Sequence, residues 1–185
     1  MMGPLEKELA VLVQQMSNLL ALDQASLTSG FAVFKDGNLF DYGKFTFSDE
    51  DIAERLVKIR NKIIELIDQY EINEIAFEDI QMQNSVNNVQ TFKVLAEVYG
   101  VILELLQEKK MKYTIVSSNT WKSTLGVKGR ARAEQKRNAQ QFVLDTYNVK
   151  AIQDTCDAIC IGTHIIRHPG QGTKTNTEEG FDWSK

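Results

Sequence analysis

The sequence has little of what a secreted or membrane protein needs. It contains only two cysteines and two prolines among 185 residues. Cys156 and Cys160 lie four residues apart in a predicted helix, so they do not readily bridge each other, and we expect reduced core thiols. No run of about 18 apolar residues occurs, which excludes a membrane span. The first residues form neither a basic leader nor a long apolar stretch, and we therefore expect a cytoplasmic protein.

The chain also lacks an excess of positive charge. Its 21 Lys and Arg residues against 25 Asp and Glu residues give a net charge of −4, which by itself argues against a nucleic-acid partner. Residues 109–137, here called the basic stretch, nevertheless carry nine Lys and Arg residues and the single acid Glu134. The basic stretch is either a solvated surface or a surface for phosphate groups, and a neighbouring site would decide between these interpretations.

Composition indicates one globular domain. Hydrophobic residues make up 43% of the chain and charged residues 25%, which is the balance of a protein that folds on its own. We expect an N-terminal extension over residues 1–17, a folded domain over 18–168 and a flexible tail over 169–185, where glycine and threonine are frequent.

The order of apolar patterns predicts an α/β fold. Apolar strand segments are predicted at 19–23, 31–34, 39–42, 44–47, 74–80 and 113–116. The first four segments make up an antiparallel meander counted as three strands, which turns at Asp36-Gly37. A capping box of Ser48 and Asp51 opens a helix ending near Tyr70. Further helices are predicted over 92–106, around Trp121, over 134–147 and over 154–167. Together these elements predict a five-stranded mixed sheet, an antiparallel meander followed by parallel strands, flanked by helices.

Two acids occupy unusual places in these strands. Asp23 ends the first apolar strand, and Glu78 lies inside the strand over 74–80. Removing an ionised carboxylate from water costs several kcal/mol unless it is paired or bound to a metal, so both acids call for a partner. Alternatively, each is a strand-end acid facing solvent. Because strands alternate with a period of two, Glu78 and Asp79 face opposite sides of the sheet, and the pattern does not say which of the two belongs to the site.

Asp154 and Asp157 form a second acidic pair. Their i, i+3 spacing places them on one face of the last helix, where they are either a chelating pair or capping residues at its N-terminus. If all four acids converge, cations must compensate their charge. Oxygen ligands favour two Mg²⁺ or Mn²⁺ ions rather than zinc, and such a pair catalyses phosphodiester hydrolysis. Lys122 and Lys136 would then hold DNA phosphates beside the acids.

The motifs occur in an order that resembles a known family. Four blocks carry the resemblance, over about residues 18–168: 19–26 with 30–33; 76–79 with Met82, Asn84 and 98–101; 120–122 with Ala133, Glu134 and Lys136; and 154–158. They resemble the RuvC Holliday junction resolvases of the RNase H-like superfamily. Asp-x-x-Asp-Ala at 154–158 together with Glu78 is the most informative part.

The resemblance implies a dimeric nuclease. Such enzymes cut four-way DNA junctions with Mg²⁺ or Mn²⁺ and leave 5′-phosphate and 3′-hydroxyl ends. It implies that Glu78, rather than Asp79, joins Asp23, Asp154 and Asp157 as a metal ligand, and that the helix after Asn88 forms much of the dimer interface. Candidate DNA contacts are Lys122, Lys128, Arg130, Arg132 and Lys136, with Gln83 and Asn84 from an amide-rich loop that is otherwise a polar loop with a helix cap.

The chain departs from the family pattern at two positions. Ala25 stands where members usually have a glycine, and Gln81 stands where an aromatic residue often stacks on the opened junction. These departures resemble phage-type members that act on branched DNA more broadly. The alternatives are a YqgF-like nuclease acting on RNA and an inactive module that binds branched DNA. A sugar kinase or actin-like ATPase is disfavoured, since the last helix offers two acids and no glycine-rich adenosine motif follows.

Overall fold

The centre of the fold is an apolar strand covered on both faces. The computed structural model describes residues 17–80 and 89–172, and the backbone of 174–175. Strand β1 (Asn18–Asp23) has four consecutive residues, Leu19 to Leu22, that are almost fully buried. Such a continuous run is typical of an interior strand with helices on both sides.

Five strands surround or extend this centre. They are β2 (Thr28–Lys35), β3 (Asn38–Thr46), β4 (Glu74–Glu78), β5 (Lys112–Val116) and the two-residue β6 (Lys174–Thr175). Within the described residues their order is β3-β2-β1-β4-β5-β6. Strands β1, β2 and β3 pair antiparallel, whereas β1–β4 and β4–β5 are parallel. The predicted fold class is confirmed, and β6 adds an antiparallel edge beside β5.

Two local predictions were wrong, one in the meander and one at the start of the helix that follows it. Segments 39–42 and 44–47 were predicted as separate strands around Gly43, but β3 runs continuously through it. A Cβ atom at Gly43 would lie 2.9 Å from the Phe31 ring, so the glycine permits close packing rather than a turn. Asp51, not Ser48, is the N-cap of the next helix, and its carboxylate accepts a 2.8 Å hydrogen bond from the Ala53 amide.

The helices form two layers. They are α1 (Ile52–Tyr70), α2 (Val89–Glu108), α3 (Ser118–Thr124), α4 (Arg132–Tyr147) and α5 (Gln153–Arg167). Apolar residues of α1 and α2 pack with Leu20, Leu22 and Phe77 on one face of the sheet. Residues of α3, α4 and α5 pack with Ala21 and Ala76 on the other. None of the helices in the described ranges combines the length and apolar composition needed to cross a membrane.

Small residues bring α5 close to the sheet. Alanines at positions 21, 32 and 76 line the strand face beneath it, and all three are fully buried. On the helix, a Cβ atom at Gly162 would lie 2.2 Å from the Phe34 ring, so a glycine is required there. Cys156 and Cys160 in the same helix are free and buried, as predicted. The close packing sets how near the first turn of α5 comes to the strand ends.

Candidate active site

Asp23 and Glu78 end neighbouring parallel strands on the same face of the sheet. The register pairs Leu22 with Phe77, so the next positions along the two strands are Asp23 and Glu78. Since Ala21 and Ala76 pack against α5, period-two alternation directs Asp23 and Glu78 toward that helix as well. Asp79 is instead hydrogen-bonded to Tyr99 of α2, on the opposite face. Of these two acids, Glu78 therefore lies on the face of Asp23 and Asp79 lies on the other.

The first turn of α5 lies over the strand that pairs with Asp23. Gly30 of β2 is the partner of Asp23, and a Cβ atom there would lie 2.0 Å from the backbone oxygen of Asp154. Only glycine leaves room for this approach. The start of α5 is therefore fixed beside the end of β1, which brings the second acidic pair to the first.

The acids of α5 do not cap the helix. Its N-cap is Ile152, which has no side chain able to accept a hydrogen bond, and no side-chain cap is formed. The carboxylate of Asp157 instead accepts hydrogen bonds of 3.0 and 2.9 Å from the side-chain amide of Gln153. The capping interpretation of this pair was wrong, and the carboxylates are left for another role.

The four acids are close enough for their charges to interact. Burial raises the pKa of Asp23 well above its ordinary value, and the charges of Asp157, Glu78 and Asp154 raise it further, while Lys122 lowers it. Burial also raises the pKa of Glu78 and of Asp157, and in both cases Lys122 opposes the effect. Like charges that raise one another's pKa indicate a cluster whose negative charge is not balanced by the protein.

Two uncharged donors hold the carboxylates. The indole nitrogen of Trp121 donates a 2.7 Å hydrogen bond to Glu78 and lowers its pKa. Gln153 does the same for Asp157. On the backbone, Gln24 donates to the carbonyl of Glu78 at 2.5 Å and accepts from its amide at 3.2 Å. The sequence analysis assigned no role to any of these three residues, although Gln24 and Trp121 lie within the blocks that carry the family resemblance.

The cluster has the donor chemistry of a site for a hard cation. All four candidate ligands are carboxylates, and the charge they share is partly shielded from water. In the part of the chain that the structure describes, no three His, Cys, Asp or Glu side chains are gathered as ligands of one metal ion. The residue types and charges fit a divalent ion, whereas the arrangement of the side chains is not that of a closed coordination shell.

Two lysines of the basic stretch reach this cluster. Lys122 follows Trp121 in α3, and its ammonium lies 5.1 Å from the centre of the indole ring. Lys136 of α4 lowers the pKa of Asp157. Both cations therefore lie close enough to the acids to influence their ionisation.

The remaining basic candidates lie at the start of α4 and on the loop before it, over residues 128–131, which is hydrogen-bonded to that helix. Asn138 donates to the carbonyl of Lys128 at 2.8 Å, Gln135 to that of Gly129 at 3.0 Å, and the amide of Arg130 donates to Glu134 at 2.8 Å. Lys128, Arg130, Arg132 and Lys136 are exposed, and within the described ranges none of them forms a salt bridge. Gln83 and Asn84 lie outside the described residues.

Comparison with known proteins decides the family. A family model described as "Crossover junction endodeoxyribonuclease RuvC" matches residues 19–164. The chain belongs to this family. The RuvC of Ehrlichia canis (strain Jake) is 26% identical over 148 residues, covering 78% of this chain and 92% of the relative. The predicted RuvC resemblance is thereby confirmed, and the kinase and actin-like alternative is set aside.

Solved structures of resolvases share the fold. The structure of "T. thermophilus RuvC in complex with Holliday junction substrate" aligns with a TM-score of 0.63 at 16% identity, covering 81% of this chain and 93% of that one. A Fowlpox virus resolvase with its Holliday junction DNA aligns with a TM-score of 0.54 at 12% identity, covering 81% and 97%. At these identities the likeness establishes the arrangement of the sheet and helices.

Proposed function

We propose that the protein is an endonuclease that cleaves Holliday junctions and other branched DNA by hydrolysis of phosphodiester bonds. The main support is the proximity of four carboxylates, two at the ends of β1 and β4 and two in the first turns of α5: burial raises the pKa of Asp23, and the charges of the other three acids raise it further. Membership of the RuvC crossover junction endodeoxyribonuclease family gives the substrate class. Lys122 and Lys136 beside the acids supply positive charge for the phosphates.

In this proposal Asp23, Glu78, Asp154 and Asp157 hold two Mg²⁺ ions, for which Mn²⁺ substitutes. When bound, the ions would supply activation of water and stabilisation of charge at the scissile phosphate. The hydrolysis leaves 5′-phosphate and 3′-hydroxyl ends. Trp121 and Gln153 orient two of the carboxylates, since each donates a hydrogen bond to one of them.

DNA affinity comes from the part of the basic stretch that follows β5. Lys122 and Lys136 contact phosphates nearest the cut, and Lys128, Arg130 and Arg132 contact phosphates further along the strand. The side-chain hydrogen bonds from α4 hold this loop in place, so less conformational entropy is lost on binding. Gln83 and Asn84 are proposed to hydrogen-bond to the DNA near the junction centre.

Two active sites are needed to cut two strands symmetrically, and we assign the dimer contact to α2. The helix packs Val98 and Ile102 into the core, yet Phe92, Leu95, Tyr99 and Leu103 remain only half-buried. A second copy would cover this surface in an isologous interface. Sedimentation of the free protein tests the assignment, and a monomer at micromolar concentration contradicts it.

Cleavage of matched substrates tests the function. Four-way, three-way and linear duplex DNA and a structured RNA are incubated with the protein and Mg²⁺, and the products are resolved on a denaturing gel. We expect the branched DNAs to be cut and the linear duplex to be spared. Preferential cutting of RNA would favour a YqgF-like nuclease, and junction binding without cutting would indicate an inactive module. Ligation of the nicked products by DNA ligase tests the end chemistry.

A further inference from the structure

The side chain of Gln24 takes the place of a backbone rung between β1 and β4. Regular pairing of the two strands ends at Leu22 and Phe77. One residue beyond the end of β1, the amide of Gln24 both donates to the carbonyl of Glu78 (2.5 Å) and accepts from its N–H (3.2 Å). A strand neighbour would make the same two kinds of bond. The chain thus leaves the sheet after Asp23 while the backbone of Glu78 stays paired.

Glu78 is thus fixed by three sets of contacts, of which the contact with Gln24 is one. On the other edge, β5 pairs with Glu78 through Val116, and the amide of Asp79 donates to the Val116 carbonyl at 2.9 Å. Trp121 holds the carboxylate itself. Without Gln24, the side of Glu78 that faces Asp23 would have no partner in the ladder, and a partly buried amide and carbonyl would be unsatisfied.

We infer that Gln24 is a positioning residue that sets the separation of the Asp23 and Glu78 carboxylates and thereby the affinity of the site for divalent metal. The inference rests on the proposed function, since it assigns both acids to that metal. Gln24 contacts the backbone of Glu78 and neither DNA nor metal in this role. Partners that orient metal ligands typically change metal affinity or activity by about 10–100-fold when they are removed.

Gln24→Met tests this inference, because methionine has a similar length and cannot form either hydrogen bond. Mn²⁺ affinity of the full chain is measured by titration with electron paramagnetic resonance, beside single-turnover cleavage of a four-way junction. We expect the Kd for Mn²⁺ to rise about tenfold and cleavage to fall, with cleavage partly recovered at higher Mn²⁺. Gln24→Asn keeps the amide but shortens its reach, and we expect it to weaken Mn²⁺ binding as well. It tests the inference if Gln24→Met fails to fold.

Asn18 provides the matched control at the opposite end of β1. Its side-chain amide donates to the carbonyls of Tyr70 at 3.2 Å and Glu71 at 3.0 Å, so it too joins the strand to a neighbouring backbone. Asn18→Leu should lower the thermal midpoint without changing Mn²⁺ affinity or cleavage. Equal losses of Mn²⁺ affinity in the Asn18 and Gln24 variants would reduce Gln24 to a structural role.

The outcomes separate this inference from the proposed function. Wild-type protein that binds Mn²⁺ in a Gln24-dependent way but cuts no branched DNA supports the inference and rejects the function. Wild-type protein that cuts junctions, with Gln24 variants that bind Mn²⁺ and cut as well as it does, supports the function and overturns the inference. Absence of Mn²⁺ binding by the wild-type protein overturns the inference too.

Discussion

The indole nitrogen of Trp121 donates a hydrogen bond of 2.7 Å to the carboxylate of Glu78. The two residues are 43 positions apart, and the tryptophan is 1% exposed. One side chain therefore belongs to the hydrophobic core between the sheet and α3–α5 and, at its polar edge, to the acidic cluster. Packing of that core fixes the orientation of an acid that we propose as a metal ligand.

Trp121→Phe should separate these two roles. Phenylalanine retains most of the apolar packing but cannot donate to Glu78, so we expect junction cleavage to fall about tenfold while junction binding stays unchanged. The lost volume should also lower the free energy of unfolding by about 2 kcal/mol. Val143→Ala, in the same core and fully buried, should cost similar stability without changing cleavage. If both variants lose cleavage equally, Trp121 acts only through stability.

Binding and cutting should respond to different residues. Asp157→Asn removes a negative charge that would face phosphate, so we expect junction binding to be unchanged or tighter and cleavage in Mg²⁺ to be abolished. Lys122→Ala and Arg132→Ala should instead weaken binding. Each should flatten the logarithmic salt dependence by up to about one unit, because about one phosphate contact is lost.

A salt titration of fluorescent junction binding, run beside the cleavage assay, measures these effects. Lys112→Ala is the control, since Lys112 belongs to the basic stretch but begins β5 and pairs with Glu74 at 3.1 Å, at the other end of that strand from α3. Its salt slope should equal that of the wild type. Cleavage by Asp157→Asn would remove that residue from the site, and unchanged slopes in both basic variants would make the stretch a solvated surface.

The stability of the metal-free protein should depend on the ionisation of Asp23. Burial and neighbouring acids raise the pKa of Asp23 in the folded state, so the folded protein holds this proton at higher pH than the unfolded chain. Its stabilising contribution is complete below the unfolded pKa of about 3.9 and is lost as pH rises through the folded pKa. Each tenfold difference in proton affinity corresponds to about 1.4 kcal/mol.

We therefore expect Asp23→Asn to be more stable than the wild type at neutral pH and to lose cleavage. Urea unfolding in a chelator at several pH values measures the difference, which should shrink as pH falls towards 4. Parallel curves for the two proteins would show that Asp23 does not carry the shifted proton. In the absence of a cation, the charge of Asp23 would destabilise the fold. Such a site gives up stability for activity.

Gly30 and Gly100 predict opposite outcomes for the same substitution. Gly30→Ala would place a Cβ atom 2.0 Å from the backbone of Asp154, so α5 must move away from β2, and we expect a loss of about 3 kcal/mol together with cleavage. A Cβ atom at Gly100 in α2 meets nothing within 4 Å, and Gly100→Ala should stabilise the protein by about 0.5–1 kcal/mol. The denaturation midpoints of both variants, measured at one protein concentration, test this prediction. Equal changes in stability for Gly30→Ala and Gly100→Ala would contradict the packing argument.

Local sequence patterns were sufficient to predict the sheet and to single out the four acids as candidates. The strand over 19–23 and the long helix follow from uninterrupted apolar periodicity, which depends on nearby residues. Two of the bonds that organise the site, those from Trp121 and from Gln24, join distant positions. Gln24 and Glu78 are 54 residues apart, so nothing in the local pattern indicates their pairing.

Local signals also failed where two residues compete for one role. Ser48 and Asp51 both suit an N-cap, and the structure places the helix start directly after Asp51. Asp154 suited a cap equally well, yet α5 begins after Ile152 because the close contact at Gly30 fixes the position of its first turn. At α5 the tertiary contact therefore outweighs the local capping preference, since aspartate is a good N-cap residue and isoleucine a poor one.

The pairing of β6 with β5 also bears on aggregation. An uncovered strand edge can accept a strand from another chain, which leads to intermolecular sheet growth. Backbone pairing of Thr175 with Thr114 and of Lys174 with Ile115 occupies part of the β5 edge. Two residues near the end of the chain thus protect a strand that is buried along most of its length, and truncation before Lys174 would expose that edge to other molecules in a concentrated solution.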